Sequence, residues 1–169
     1  GDEKWAESLE LAAFNALPAG ISEDMWTHQY DQQSNQIACE IFPGKSFFRT
    51  NNSEAHLFGL EPNFGCCTAN FNQGWPKFAL SAFMHSGNTV INVLPVPAEL
   101  KTDSFYIRLE TEYPFKNRFR YTIHSEVEFE FKVRIPSFAQ KITVNGENTD
   151  NGELCFKIIP CESRTVEIS

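Results

Sequence analysis

The residues with the most chemistry in them are two adjacent cysteines, Cys66 and Cys67, in the run Glu61-Pro62-Asn63-Phe64-Gly65-Cys66-Cys67-Thr68-Ala69-Asn70. A glycine turn leads into them, and Thr68 is a reasonable N-cap for a helix that follows. Free N–H groups at a helix start favour a thiolate. A thiolate there is a nucleophile or a soft metal ligand. A disulfide between neighbours is strained, but both sulfurs can reach one zinc ion if the backbone turns sharply. The other reading is two small buried hydrophobes. The chain has five cysteines, an odd number, which argues against a disulfide scaffold. A second group is dense in amides and aromatic rings: Trp26, His28, Gln29, Tyr30, Asp31 and Gln32, followed by Gln33, Asn35 and Gln36. Planar amides and carboxylates bond hydroxyls, and rings face the apolar side of a sugar. A polar loop satisfying its own backbone has the same composition.

These residues need elements to hold them. The chain has 169 residues, 41% hydrophobic and 21% charged, which suits a globular protein and excludes a disordered one. Residues 2–17 predict a helix, with Trp5, Leu9, Ala12, Ala13, Ala16 and Leu17 on one face, stopped by Pro18 and Gly20. Residues 21–65 have little periodicity, and a loop of that length carries function or hides short strands. Residues 68–85 return to helical spacing through Phe71, Trp75, Phe78, Ala79, Ala82 and Phe83. Gly74 and Pro76 predict a kink or two shorter helices there.

From residue 89 the period becomes two. Phe105, Ile107 and Leu109 alternate with polar neighbours, as do Phe119, Tyr121 and Ile123, and Val127 through Ile135. Asn145-Gly146 and Asn151-Gly152 mark tight turns. Six to eight short antiparallel strands predict a β-sandwich. The net charge of −8 is the wrong sign for tracking phosphates, so nucleic acid is excluded as a partner. No apolar run approaches the roughly 20 residues of a membrane helix. The N-terminus, Gly1-Asp2-Glu3-Lys4, carries no apolar signal region. A single sequon at Asn51 is chance-level evidence for glycosylation.

Two stretches resemble a large bacterial family, glycoside hydrolase family 127, which includes the β-L-arabinofuranosidases. One is Met25-Trp26-Thr27-His28-Gln29-Tyr30-Asp31-Gln32-Gln33-Ser34-Asn35-Gln36. The other runs from Gly59 through the cysteine pair to Phe78. Tyr113-Pro114-Phe115 and Arg134-Ile135-Pro136-Ser137-Phe138 resemble that family's β-domain, where the last position is more often Trp.

The resemblance implies an α+β chain: a short helical piece of an (α/α)6 barrel, residues 1–87, then an antiparallel β-sandwich, residues 88–169. It implies a retaining exo-glycosidase with a zinc-bound cysteine nucleophile and a glutamic acid as acid/base, acting on a plant- or glycoprotein-derived carbohydrate. Zinc in that family is held by three Cys and one Glu. Cys66 matches the nucleophile and a ligand, Cys67 a second ligand, and His28 and Tyr30 match sugar-contacting positions. The family's Glu-x-Cys ligand pair and its acid/base lie upstream of the segment seen here, so the isolated chain is expected to be inactive. Cys39 is a candidate substitute ligand, whereas Cys155 and Cys161 read as ordinary buried or edge thiols. Thr68-Ala69 replaces the usual Pro-Pro, which leaves the substrate open. Two other expectations compete. One is a non-catalytic carbohydrate-binding module. The other is a structural β-domain that dimerises through an apolar face on Trp5, Phe14, Phe71, Trp75 and Phe78. The charge and free thiols suit cytoplasm, periplasm or secretion alike.

Overall fold

The structure, a computed structural model of the chain, describes residues 3–33, 35–41, 53–59, 65–149 and 153–169. The Asn151-Gly152 turn, the sequon asparagine Asn51 and the Glu61–Phe64 part of the cysteine motif lie outside them. The chain divides into two compact units, Leu9–Pro76 on one hand and Gly1–Ser8 with Lys77–Ser169 on the other.

The first helix, α1 (Glu3–Leu11), continues through a π-helical stretch (Ala12–Ala16) into α2 (Leu17–Ala19). Pro18 does not stop it. The helical run passes through it to Ala19, and Gly20 caps the run. The apolar face expected on this helix is buried only in part, at Ala13. Ala6, Glu10 and Ala13 are buried, while Trp5 is 69% exposed and Leu9 is also exposed. A periodic pattern reports that a helix has an apolar face, not which face its neighbours cover.

The expected helix over 68–85 is two helices, α3 (Gly65–Phe71) and α4 (Gly74–Leu80). The first begins three residues before the expected cap, so Thr68 lies inside it and both cysteines lie in its first turn. A Cβ on Gly74 would stand 2.7 Å from Leu17 Cδ2, so the start of α4 is shaped by that close approach. Phe78 is buried, which removes it from the apolar face expected to be exposed. Helix α4 ends in a turn in which Ser81 N–H donates to Phe78 O at 3.0 Å. Strand pairing then begins at Phe83, earlier than the period of two suggested.

Ten strands follow. They are β1 (Phe83–Ser86), β2 (Thr89–Asn92), β3 (Ala98–Lys101), β4 (Phe105–Thr111) and β5 (Phe119–Ser125). The rest are β6 (Phe129–Arg134), β7 (Ile142–Val144), β8 (Glu147–Thr149), β9 (Glu153–Ile158) and β10 (Glu162–Ile168). Residues 87 and 88, the expected domain division, fall in the β1–β2 turn. A four-stranded sheet has the order β1-β2-β6-β9, and a six-stranded sheet the order β3-β4-β5-β10-β7-β8. All pairs are antiparallel except β2 with β6, which run parallel, Val90 opposite Phe131. The expected antiparallel sandwich is therefore a mixed one by a single pair. Parallel neighbours need a crossover, and here the other sheet supplies it, through β3, β4 and β5.

The inner faces carry the period-two residues: Ile107 and Leu109 of β4, Tyr121 and Ile123 of β5, Phe131 and Val133 of β6, Val166 and Ile168 of β10. One polar bolt crosses this core. Tyr121 donates its hydroxyl to Asn92 Oδ1 at 2.8 Å, and Asn92 Nδ2 donates to Ala82 O at 2.9 Å and Leu94 O at 3.1 Å. Each buried polar atom of the pair thus has a partner. Asn145 and Gly146 both have positive φ in the two-residue β7–β8 turn, the conformation that their types predict. At the end of β6, Arg134 Nε donates to Val93 O at 2.7 Å, and the next loop meets α1, where Ser137 N–H donates to Glu7 Oε1 at 2.6 Å.

Candidate functional site

The expected long loop contains ordered pieces that bring its chemistry together. Residues 22–27 form a tight turn: Ser22 N–H donates to Thr27 O at 2.8 Å and Thr27 N–H to Ser22 Oγ at 2.9 Å. The Ser22 hydroxyl, and then the Trp26 N–H, hold the Asp24 carboxyl below the usual carboxylate range. The turn leaves Trp26 at its tip, 73% exposed, and it does not line the hollow described below.

Past the turn, His28 forms bridges to Ile21 and to Gly59. Tyr30 N–H and Asp31 N–H both donate to Ala55 O, at 3.2 and 2.9 Å. Gln29 Nε2 donates to His56 O at 2.8 Å. These bonds stitch residues 28–31 to the 3-10 turn Ser53–His56. Under them lies His56, fully buried, with an Asp31 carboxylate oxygen 3.9 Å from its Nε2.

A hollow of about 330 Å³ opens beside this segment, lined among others by His28, Gln29, Tyr30, Cys67, Asn70 and Phe71. The His28 ring lies parallel to Phe71, 3° between planes and 6.2 Å between centres. Phe71 meets Trp75 edge-on at 5.9 Å, and Trp75 Nε1 donates to Ala13 O at 3.1 Å. The imidazole is thus held by a chain of rings anchored on the first helical run. Asn70 folds back to donate to Cys66 O at 2.7 Å.

The two sulfurs stand 3.9 Å apart. Cys67 lines the hollow and is half-buried, while Cys66, the expected nucleophile, is exposed and is not among its lining residues. The negative charge of Cys67 first, and of Cys66 second, pushes the Tyr30 phenol above its ordinary pKa. The structure therefore groups His28, Tyr30 and Cys67, with Cys66 adjacent. Cys39 is elsewhere, receiving the Gln36 and Gln29 amides at 3.1 and 3.4 Å. No group of three or more His, Cys, Asp or Glu side chains that could hold a metal occurs among the described residues. Cys155, on edge strand β9, and Cys161, in the β9–β10 turn, are both exposed. Sequence reasoning had no place for Asn70 or His56. Asn70 follows Cys66 by one helical turn, and that spacing could have found it. His56 has no local signal.

Comparison with known proteins finds one family model and several solved structures. Residues 91–155 match the family model described as Beta-L-arabinofuranosidase, GH127 middle domain. No curated protein matches the chain. Among solved structures, one named "Glycoside hydrolase" aligns with a TM-score of 0.73 at 22% identity, covering 99% of this chain and 29% of the other. The GH127 β-arabinofuranosidase BT3674 aligns at 0.69 and 21% identity, with 99% and 28% covered. Ara127N-Se, a GH127 β-L-arabinofuranosidase from Geobacillus stearothermophilus T6, aligns at 0.62 and 21% identity, again with 99% and 28% covered. The chain spans under a third of the length of these proteins. Residues 91–155 thus resemble the GH127 middle domain, and along its length the chain carries the fold of these solved structures.

Proposed function

We propose that the chain is a segment of a zinc-dependent cysteine glycosidase, a retaining exo-enzyme for β-L-arabinofuranosides or a related glycoside. The helical unit is then part of the (α/α)6 barrel. The single observation behind this reading is the sulfur pair beside an imidazole, a phenol and two amides. Two thiolates on one tetrahedral zinc, at Zn–S distances of about 2.3 Å, stand about 3.8 Å apart. Cys66 and Cys67 stand 3.9 Å apart, so the donor set fits two of the four positions. Bound zinc keeps a thiol deprotonated at neutral pH.

The roles of the side chains follow. The Cys66 thiolate attacks the anomeric carbon as the glycosidic C–O bond breaks, and the aglycone leaves as an alcohol with a proton from the acid/base. Water, giving a proton back to that base, then displaces the thiolate and releases the sugar with net retention. Cys67 is the companion thiolate. His28 and Tyr30 bond sugar hydroxyls, the imidazole pre-oriented by its stack on Phe71. The acid/base and the remaining ligands are assigned to no described residue.

Cobalt(II) substitution tests the site without activity. The reduced chain should show a thiolate-to-metal charge-transfer band that weakens in Cys66→Ala and in Cys67→Ala. A band unchanged in both variants would remove the site. In a longer form with the upstream helices, Cys66→Ala should abolish hydrolysis of an aryl β-L-arabinofuranoside. Full turnover in that variant, with loss in Cys67→Ala, would exchange the two roles.

A further inference from the structure

A second hollow, of about 270 Å³, lies at the open end of the sandwich, where β5 and β7 start and β6 and β10 end. Its floor is apolar, from Phe119, Ile135 and Ile168, all buried. Two further rings line it, the half-buried Tyr113 and the 62% exposed Phe138. Asn117, Gln140 and Lys141 bring donors and acceptors to the rim. Among the described residues no Asp or Glu side chain lines this hollow.

That combination selects among ligand classes. A fatty chain would leave the rim amides facing hydrocarbon, unbonded. A phosphate or nucleotide would meet one cation, fewer than anion sites use. A ring with an apolar face and a hydroxylated edge satisfies both floor and rim, and the volume, just below that of drug-sized sites, suits one ring. We infer that this hollow is a sugar site of the middle domain, taking one neutral furanose or pyranose ring between Tyr113 and Phe138. The site is built on strand ends and does not depend on the cysteine chemistry. The family reading is used only to choose the first sugars to try.

The test is a titration of the 169-residue chain, followed by ¹H–¹⁵N correlation spectra, with L-arabinose, its methyl β-furanoside and a neutral arabino-oligosaccharide. Saturable shifts are expected at Asn117, Phe138 and Gln140, with a Kd in the millimolar range. Phe138→Ala, on an exposed ring whose loss should leave the fold intact, should weaken binding about tenfold. Gln140→Ala, with an unchanged melting temperature as the control, should weaken it as well. Cys66→Ser should leave these shifts unaltered, which separates this inference from the cysteine reading. Shifts confined to residues 28–30 and 66–75, or none up to about 50 mM sugar, would overturn the proposal.

Discussion

At the thiol site the backbone is fixed at the functional residues themselves, His28 by its bonds with Gly59 and Tyr30 by its bond to Ala55, and backbone conformation is decisive at other single positions. Gly146 is the clearest. Its φ is 86°, and no atom lies within 4 Å of where a Cβ would stand, so a substitution there meets conformational cost alone. Gly146→Ala should destabilise the protein by about 1 kcal/mol, read as a lower denaturation midpoint with an unchanged slope. A neutral result would mean that the turn relaxes to another type. At this scale the sequence was informative where residue type carries the meaning. Asn145-Gly146 announces its turn, and the cysteine pair announces its sulfurs. It was silent on His56, because burial against Asp31 depends on two segments meeting, and nothing local to His56 encodes that meeting.

Whole elements are held by a few specific contacts beyond the apolar core. The Asn92–Tyr121 bolt joins β2 of one sheet to β5 of the other. Tyr121→Phe keeps the ring and removes one donor, leaving Asn92 Oδ1 buried without its partner. The expected loss is about 1–3 kcal/mol in urea unfolding. A smaller loss would mean that water or a rotated amide replaces the hydroxyl. The tie from α1 to the loop after β6 is electrostatic and pH-dependent. The Ser137 N–H holds the Glu7 carboxyl below its ordinary pKa. A depressed folded-state pKa means that the contribution is present above the unfolded value and lost as pH falls through the folded one. The Ser137 amide shift should therefore titrate with a midpoint below pH 4.5, and a midpoint at or above it would show that the contact is absent in solution. Alternation made most strands legible, because each inner face is apolar and each outer face charged. The helical spacing misled past Leu80, where Ala82 and Phe83 continue the pattern while the backbone has already turned, and at Trp5 and Leu9, which are exposed. The parallel pairing of β2 with β6 was invisible, since alternation does not carry strand direction.

At the scale of the whole molecule, the two units differ in how their backbone is satisfied. In the sandwich, β5 is paired on both sides along its length, by β4 and β10. Residues 21–33 and 35–41 make scattered single bonds and a few bridges. Hydrogen exchange should follow that contrast, with the Tyr121 and Ile123 amides among the slowest and residues 21–41 exchanging orders of magnitude faster. Equal protection in both regions would contradict it. The sequence showed a change of character along the chain but not that residues at its start join the strand-rich unit, because that contact joins positions 130 residues apart. The parallel pair has a further consequence, for the order of events in folding. Thr89 and Glu130 meet across 41 residues of chain, and those residues include the whole β3–β4–β5 meander. A hairpin such as β4–β5 closes over a short loop and gives up little chain freedom first, whereas β2–β6 cannot zip until that excursion has gathered itself. The β3–β4–β5 meander is thus expected to pair before β2 meets β6.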